Sequence, residues 1–159
     1  MRLSRLERVI LYIPVLGTFD VLSTCFAAWR GYPIHVYEVG LFASYFSQRG
    51  LLPLYVFAYL GILSGIAVLL ILIKRDVSKG FFLDELVLLL LVIAVGLIEG
   101  VLASVVVSNF MLALGKLMPS LLRWLIYLSV FAVILSYAWD ELKELFGFGA
   151  HDEEQTRPG

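Results

Sequence analysis

Four long apolar runs constrain this chain more than any other feature, because each is long enough to cross a lipid bilayer. They cover residues 9–29, 51–73, 86–109 and 121–139, close to or above the ~20 helical residues that span about 30 Å of hydrocarbon. The runs are apolar all round. A helix in lipid tolerates that, since its backbone N–H and C=O groups are satisfied within the segment. Of the 159 residues, 61% are hydrophobic and 16% charged, against about 45–50% and about 25% in soluble domains. Most of the charge lies at the chain ends and in the gaps between runs. These features predict an all-α integral membrane helical bundle with four transmembrane helices over residues 1–146. The stretch 147–159, with "HDEEQTRPG", reads as a disordered polar tail.

Between the first two runs lies "PIHVYEVGLFASYFSQRG" (residues 33–50), rich in aromatics but carrying His35, Glu38 and Arg49. Helical spacing puts Ile34, Tyr37, Leu41 and Tyr45 on one side, which favours a short interfacial helix over residues 34–49. The alternative is a crossing that starts at Ile34 and kinks near Gly50 and Pro53. Basic residues set the expected orientation. Arg2, Arg5, Arg8, Lys74, Arg75, Lys79, Lys143 and Arg157 fall on one side of a four-span topology, and Arg30, Arg49, Lys116 and Arg123 on the other. The positive-inside rule then places both termini in the cytoplasm of a multi-pass plasma-membrane protein. The lone Cys25 closes "LSTC", which superficially resembles a lipoprotein signal. Thr24 before the cysteine, Asp20 inside the apolar run and the lack of an A-x-A site argue against cleavage, so the first helix is expected to remain. Asp140 and Lys143 are spaced as an i,i+3 ion pair.

Two acids sit inside the apolar runs. Asp20 shares a helix face with Gly17, Thr24 and Ala27 or Ala28; Glu99 lies beside a four-residue repeat of Gly96, Gly100, Ser104 and Ser108. Ala58, Gly61 and Gly65 line the second run, with Ser64 adjacent. Small residues at this spacing let helix backbones approach closely, so Gly17, Gly61, Gly65, Gly96, Gly100 and Ser104 are candidate helix-packing positions. Counting from the cytoplasmic ends at ~1.5 Å per residue puts Asp20 about 16 Å and Glu99 about 19 Å into the membrane. Lying on or beside small-residue faces, both acids are expected to point into the bundle; their similar depth would let them meet, and as neighbours they would share a proton. A charged carboxylate there costs at least ~2.5–3.5 kcal/mol. The functional reading is proton or cation chemistry, and the structural one is a protonated, hydrogen-bonded pair. His35 and Glu38, at i,i+3, form half of a metal-binding arrangement. Asn109 reads as a cap or boundary residue.

The order of "FDVLST" (Asp20, Thr24), Gly31, "YEVGL" (Glu38) and "SQRGLLPLYVFAYL" resembles a family of small prokaryotic membrane proteins of unknown function. That family has D-x-x-x-T in its first helix, then E-x-N-P and a second span opened by Gly. The resemblance runs from Thr18 to Arg75. Here Gly40 and Leu41 replace the Asn-Pro, and the lysine expected near Tyr59 is missing. The resemblance implies that Asp20, Thr24 and Glu38 belong to one site near the outer face, and it supplies no activity.

H-E-x-x-H, G-x-S-x-G, a Gly-rich phosphate loop and C-x-x-C are all absent. Asp84-Glu85 reads as an acidic first helical turn. A net charge of −1 without a basic patch argues against nucleic acid. No cofactor is expected, and the balance is against an enzyme. The expected partners are the bilayer and other membrane subunits, in a homo-oligomer or a larger complex where the chain is an accessory or structural component. The alternative is a proton- or cation-linked transporter or channel using Asp20 and Glu99, with Glu38 at the outer mouth. An intramembrane metal-dependent enzyme is third.

Overall fold

The computed structural model describes residues 3–32, 45–46, 48–77 and 84–145. Among the described residues, the helices with defined bounds are α1 Arg5–Ile10, α2 Tyr12–Trp29, α3 Leu52–Val77, α4 Asp84–Ala113 and α5 Ser120–Leu145. No strand occurs among the described residues. Four apolar segments are long enough to span a membrane: Arg5–Trp29, Leu52–Asp76, Leu86–Ala113 and Ser120–Asp140. The chain is thus a multi-pass helical bundle, as the four runs predict. The interfacial helix expected over residues 34–49 lies largely outside the described residues, and the tail 147–159 wholly so.

The first span begins four residues earlier than its apolar run and is broken at Leu11. Pro14, in the first turn of α2, has no N–H to offer the carbonyl of Ile10, and its ring crowds that carbonyl. The helix therefore restarts at Tyr12, with the Leu11 N–H at 3.4 Å from the Glu7 oxygen.

Helix α4 is the central element. It packs along α2 on one side and α5 on the other, while α3 lies mainly against α2. The apolar core fills the end of the bundle where α1 begins, here called basal, with Leu6, Ile10, Ile13, Leu88, Val92 and Ile134 almost wholly buried. Helix α3 contributes Leu63, Ala67 and Leu70, an i, i+4, i+7 stripe.

Polar side chains staple the basal end. Ser4 and Glu7 form a reciprocal capping box on α1. Glu7, 4% exposed, also accepts from Arg75 Nε of α3 at 2.6 Å, and Lys74 Nζ donates to Ser4 Oγ at 3.0 Å. Arg5 pairs with Asp140 of α5 at 2.5 Å. Asp140 thus reaches across to α1 and not along its own helix to Lys143, whose ammonium lies 5.6 Å from the Trp139 ring. The docking of α1 beside α5 brings the Arg5 guanidinium, a planar multi-donor group, to that carboxylate.

At the opposite, apical end, α2 and α4 finish side by side in the same way. Gly31 (φ +95°) and Gly115 (φ +72°) take the left-handed conformation that glycine adopts without a Cβ penalty. The N–H groups of Gly31 and Tyr32 return to Ala28 and Ala27, and those of Gly115 and Lys116 to Leu112 and Met111, a Schellman pattern at both ends. Arg30 Nε donates to the Ala113 carbonyl at 3.3 Å, putting a cation on the C-terminus of α4.

Three of the candidate packing glycines sit in close helix contacts. Gly17 abuts Leu63; a Cβ on Gly96 would lie 2.6 Å from Phe131 Cδ2, and one on Gly100 2.8 Å from Tyr127 Cδ1. Ser104 is buried on the same helix. Gly61 and Gly65 differ, for nothing lies within 4 Å of where their Cβ atoms would be. Within the chain, α3 packs through Leu63, Ala67 and Leu70, and its glycine face points away. Accordingly, Gly96→Ala and Gly100→Ala should each lower stability by about 1–3 kcal/mol, whereas Gly61→Ala should stay within about 1 kcal/mol of wild type. Thermal unfolding followed by circular dichroism in mild detergent reads this difference directly.

Candidate functional site

The intramembrane polar residues of α2 converge on α3 and α4. Asp20, half-buried, accepts from Tyr59 Oη of α3 at 2.8 Å through Oδ2 and from Asn109 Nδ2 of α4 at 3.3 Å through Oδ1. The same Asn109 amide lies 2.9 Å from Thr24 Oγ1 and 3.2 Å from Ser23 Oγ. Ser23, fully buried, donates back to the Asp20 carbonyl at 2.9 Å. One amide thus serves three acceptors on two successive turns of α2. Asp20 and Thr24 are placed together as i,i+4 spacing requires.

Small residues make this convergence attainable. Gly17 lets Leu63 approach one turn below, which brings α3 near enough for Tyr59 to reach Asp20. Ser104 and Ser108, the last members of the α4 repeat, lead up to Asn109. Tyr59 also stacks on Tyr55, with ring centroids 5.8 Å apart, and this steadies the ring that carries the donor.

Glu99 is not part of this cluster. It precedes Asn109 by ten residues on α4, about 15 Å along the helix axis, and lies instead at the level of Tyr12–Leu16. The expected meeting of Asp20 and Glu99 therefore does not occur. Counting from the edges of apolar runs assumes that neighbouring helices enter the membrane at one height. Helix α4, with 30 residues, is much longer than α2 with 18, and the contact of Asn109 with Thr24 fixes a different register.

Glu99 is 5% exposed, and its Oε1 has no hydrogen-bond partner. It lines a groove of about 470 Å³ between α2, α4 and α5, together with Tyr12, Phe19, Ala103, Ser129 and Tyr137. Among the described residues, no lysine, arginine or histidine lines it. Asp20 and Glu99 are thus two separate polar features, one closed by hydrogen bonds and one open.

His35 and Glu38 lie outside the described residues. Among the described residues, no three His, Cys, Asp or Glu side chains are grouped as metal ligands. Further polar contacts escaped the sequence reading. Asn109 looked like a boundary residue, although an amide inside an apolar run is itself a sign of interhelical hydrogen bonding. Tyr59, near which the resemblance led us to expect a lysine, reaches Asp20 through its hydroxyl. The Ser4-x-x-Glu7 capping box was readable as a motif, but its tie to Arg75 was not.

Comparison with protein-family profiles, curated proteins and solved structures yields no match. The resemblance between Thr18 and Arg75 rests on the quoted residues alone.

Because Asn109 meets three acceptors, Asn109→Leu should lower stability by about 1–3 kcal/mol, the cost of stranding buried polar groups. Tyr59→Phe, which removes one donor to Asp20, should cost about 0.5–1.5 kcal/mol. Equal losses in thermal unfolding of the two variants would contradict the shared-amide geometry.

Proposed function

We propose that this protein is an accessory or structural membrane component that assembles with further copies of itself or with other membrane subunits through α3. The observation that carries this reading is the open Gly61/Gly65 face. Both glycines are exposed and have free space where a Cβ would stand, and Ala58 and Ser64 beside them are exposed as well. A backbone bared on one face of a membrane helix admits a second helix at close range. Exposed Ile62, Val68, Leu69 and Leu72 flank it and would pack around such a crossing. The polar clamp supports the same reading, since Asp20 holds α2, α3 and α4 together with its oxygens already engaged. In the cell the bundle sits in the plasma membrane with its basal end, and both termini, in the cytoplasm, as the distribution of Lys and Arg indicates.

The test is the mass of the purified chain in mild detergent. Wild type is expected to run as an oligomer or with co-purifying subunits, and Gly61→Ile with Gly65→Ile is expected to reduce it to a monomer of 17.8 kDa. A monomeric, partnerless wild type would overturn the proposal.

One observation favours a second reading, proton- or cation-linked transport: the unpartnered carboxyl of Glu99. This reading no longer draws on an acidic pair, because Asp20 is engaged elsewhere. In proteoliposomes, wild type should show ion flux that Glu99→Gln abolishes, and a wild type without flux eliminates transport.

A further inference from the structure

Among the described residues, the acidic side chains buried in this bundle have partners, with one exception. Glu7 is held by Arg75 and the α1 capping box, and Asp20 by Tyr59 and Asn109. Glu99 is as deeply buried as Glu7, yet its Oε1 meets no donor. A buried carboxyl without a partner is costly, and here it lines a groove and is not sealed in the core. Among the described residues, the groove supplies no counter-charge. A cation entering from outside the chain would offset the cost of the buried carboxylate.

The character of the groove selects among cations. Apart from Glu99, the side-chain polar groups lining it are the hydroxyls of Ser129, Tyr12 and Tyr137. A hard divalent cation such as Ca2+ or Mg2+ takes six or more oxygens, more than the described side chains of this lining supply. An organic cation has little hydration to lose, since its charge is covered by apolar groups. Three aromatic rings, Tyr12, Phe19 and Tyr137, line the same space, and ring faces attract such cations. A volume of about 470 Å³ falls in the range that holds drug-sized ligands, about 300–1,000 Å³. The rim is accessible from the flank of the bundle: Tyr12, Phe19, Val133 and Tyr137 are all exposed. A ligand arriving from the lipid phase meets the groove without crossing the bundle.

We propose that the groove between α2, α4 and α5 binds a lipophilic organic cation, a hydrophobic ammonium or phosphonium, with the Glu99 carboxylate as its counter-charge. Glu99 supplies the charge, the three rings and the aliphatic walls take the apolar body, and Ala103 leaves room for it. This rests on the second reading in assigning Glu99 to cation handling, but binding and flux are measured separately.

The experiment is calorimetric titration of the full-length chain in mild detergent with tetraphenylphosphonium, and with neutral triphenylphosphine oxide for comparison. Wild type is expected to bind the cation saturably at one site, at least about tenfold more tightly than the neutral compound. Glu99→Gln should weaken cation binding by about tenfold or more and bring it level with the neutral compound. Ala103→Phe, which fills the groove while keeping the carboxyl, should abolish both. Val68→Ala, on the exposed face of α3, should bind as wild type does. Should Glu99→Gln fail to fold, Ala103→Phe and the cation-to-neutral ratio still decide. Equal affinity for the two compounds would mark a groove for lipid chains and overturn the proposal. So would an unaltered affinity in Glu99→Gln. Absence of binding in an oligomer that Ala103→Phe dissociates would give the groove to a second copy, with the same consequence. Binding without flux in proteoliposomes upholds this site and removes transport; flux without binding does the reverse.

Discussion

Lipid offers no hydrogen bonds, so a polar group carried into this bundle is costly unless it finds a partner. That requirement explains where the helices cross. Asn109 sits on α4 at the one level where its amide reaches Asp20, Ser23 and Thr24 together, and this contact sets the register of α2 against α4. With that register set, the two helices end at the same height, and Arg30 can reach the carbonyl of Ala113. At the other end, Arg75 must reach Glu7, which fixes where α3 stops beside α1. Polar ties close the basal end and the apical half, and the apolar side chains between them specify shape more than register.

Close packing follows from the same economy of contacts. Without water to drive apolar surfaces together, helices in lipid gain from tight van der Waals contact, and α4 obtains it by presenting Gly96 and Gly100 to the rings of Phe131 and Tyr127. The ring-against-glycine arrangement makes α4 and α5 one unit. The contact of α3 with the rest is narrower, resting on Leu63, Ala67 and Leu70 on one side of the helix, so α3 keeps a second face for something else.

The architecture was largely legible because it depends on length and hydrophobicity, which are local properties. The four spans, the small-residue faces of α2 and α4, and the shared face of Asp20 and Thr24 all follow from periodicity along one helix. What was not legible depends on pairs of helices. Asp20 and Glu99 seemed level because each was measured from its own apolar edge, and no single-helix count knows that α4 is offset from α2. Asn109 carried the information that would have set the offset, but a lone amide near a helix end looks the same whether it caps or clamps. Gly61 and Gly65 match the spacing of Gly96 and Gly100, yet one pair is filled by the chain itself and the other is not. Spacing identifies a face and leaves its neighbour open.

The span of chain between Asp20 and Asn109 has a consequence for how the protein is made. Their contact bridges 89 residues, whereas Tyr59 follows Asp20 by 39. At synthesis rates of about 5–20 residues per second, Asn109 leaves the ribosome about 4–18 s after Asp20. Of the two donors described on other helices, Tyr59 is made first, and the amide arrives afterwards to complete the cluster. Assembly at this site is therefore ordered in time, with a tyrosine as the interim partner of an acid whose final neighbour has yet to be translated.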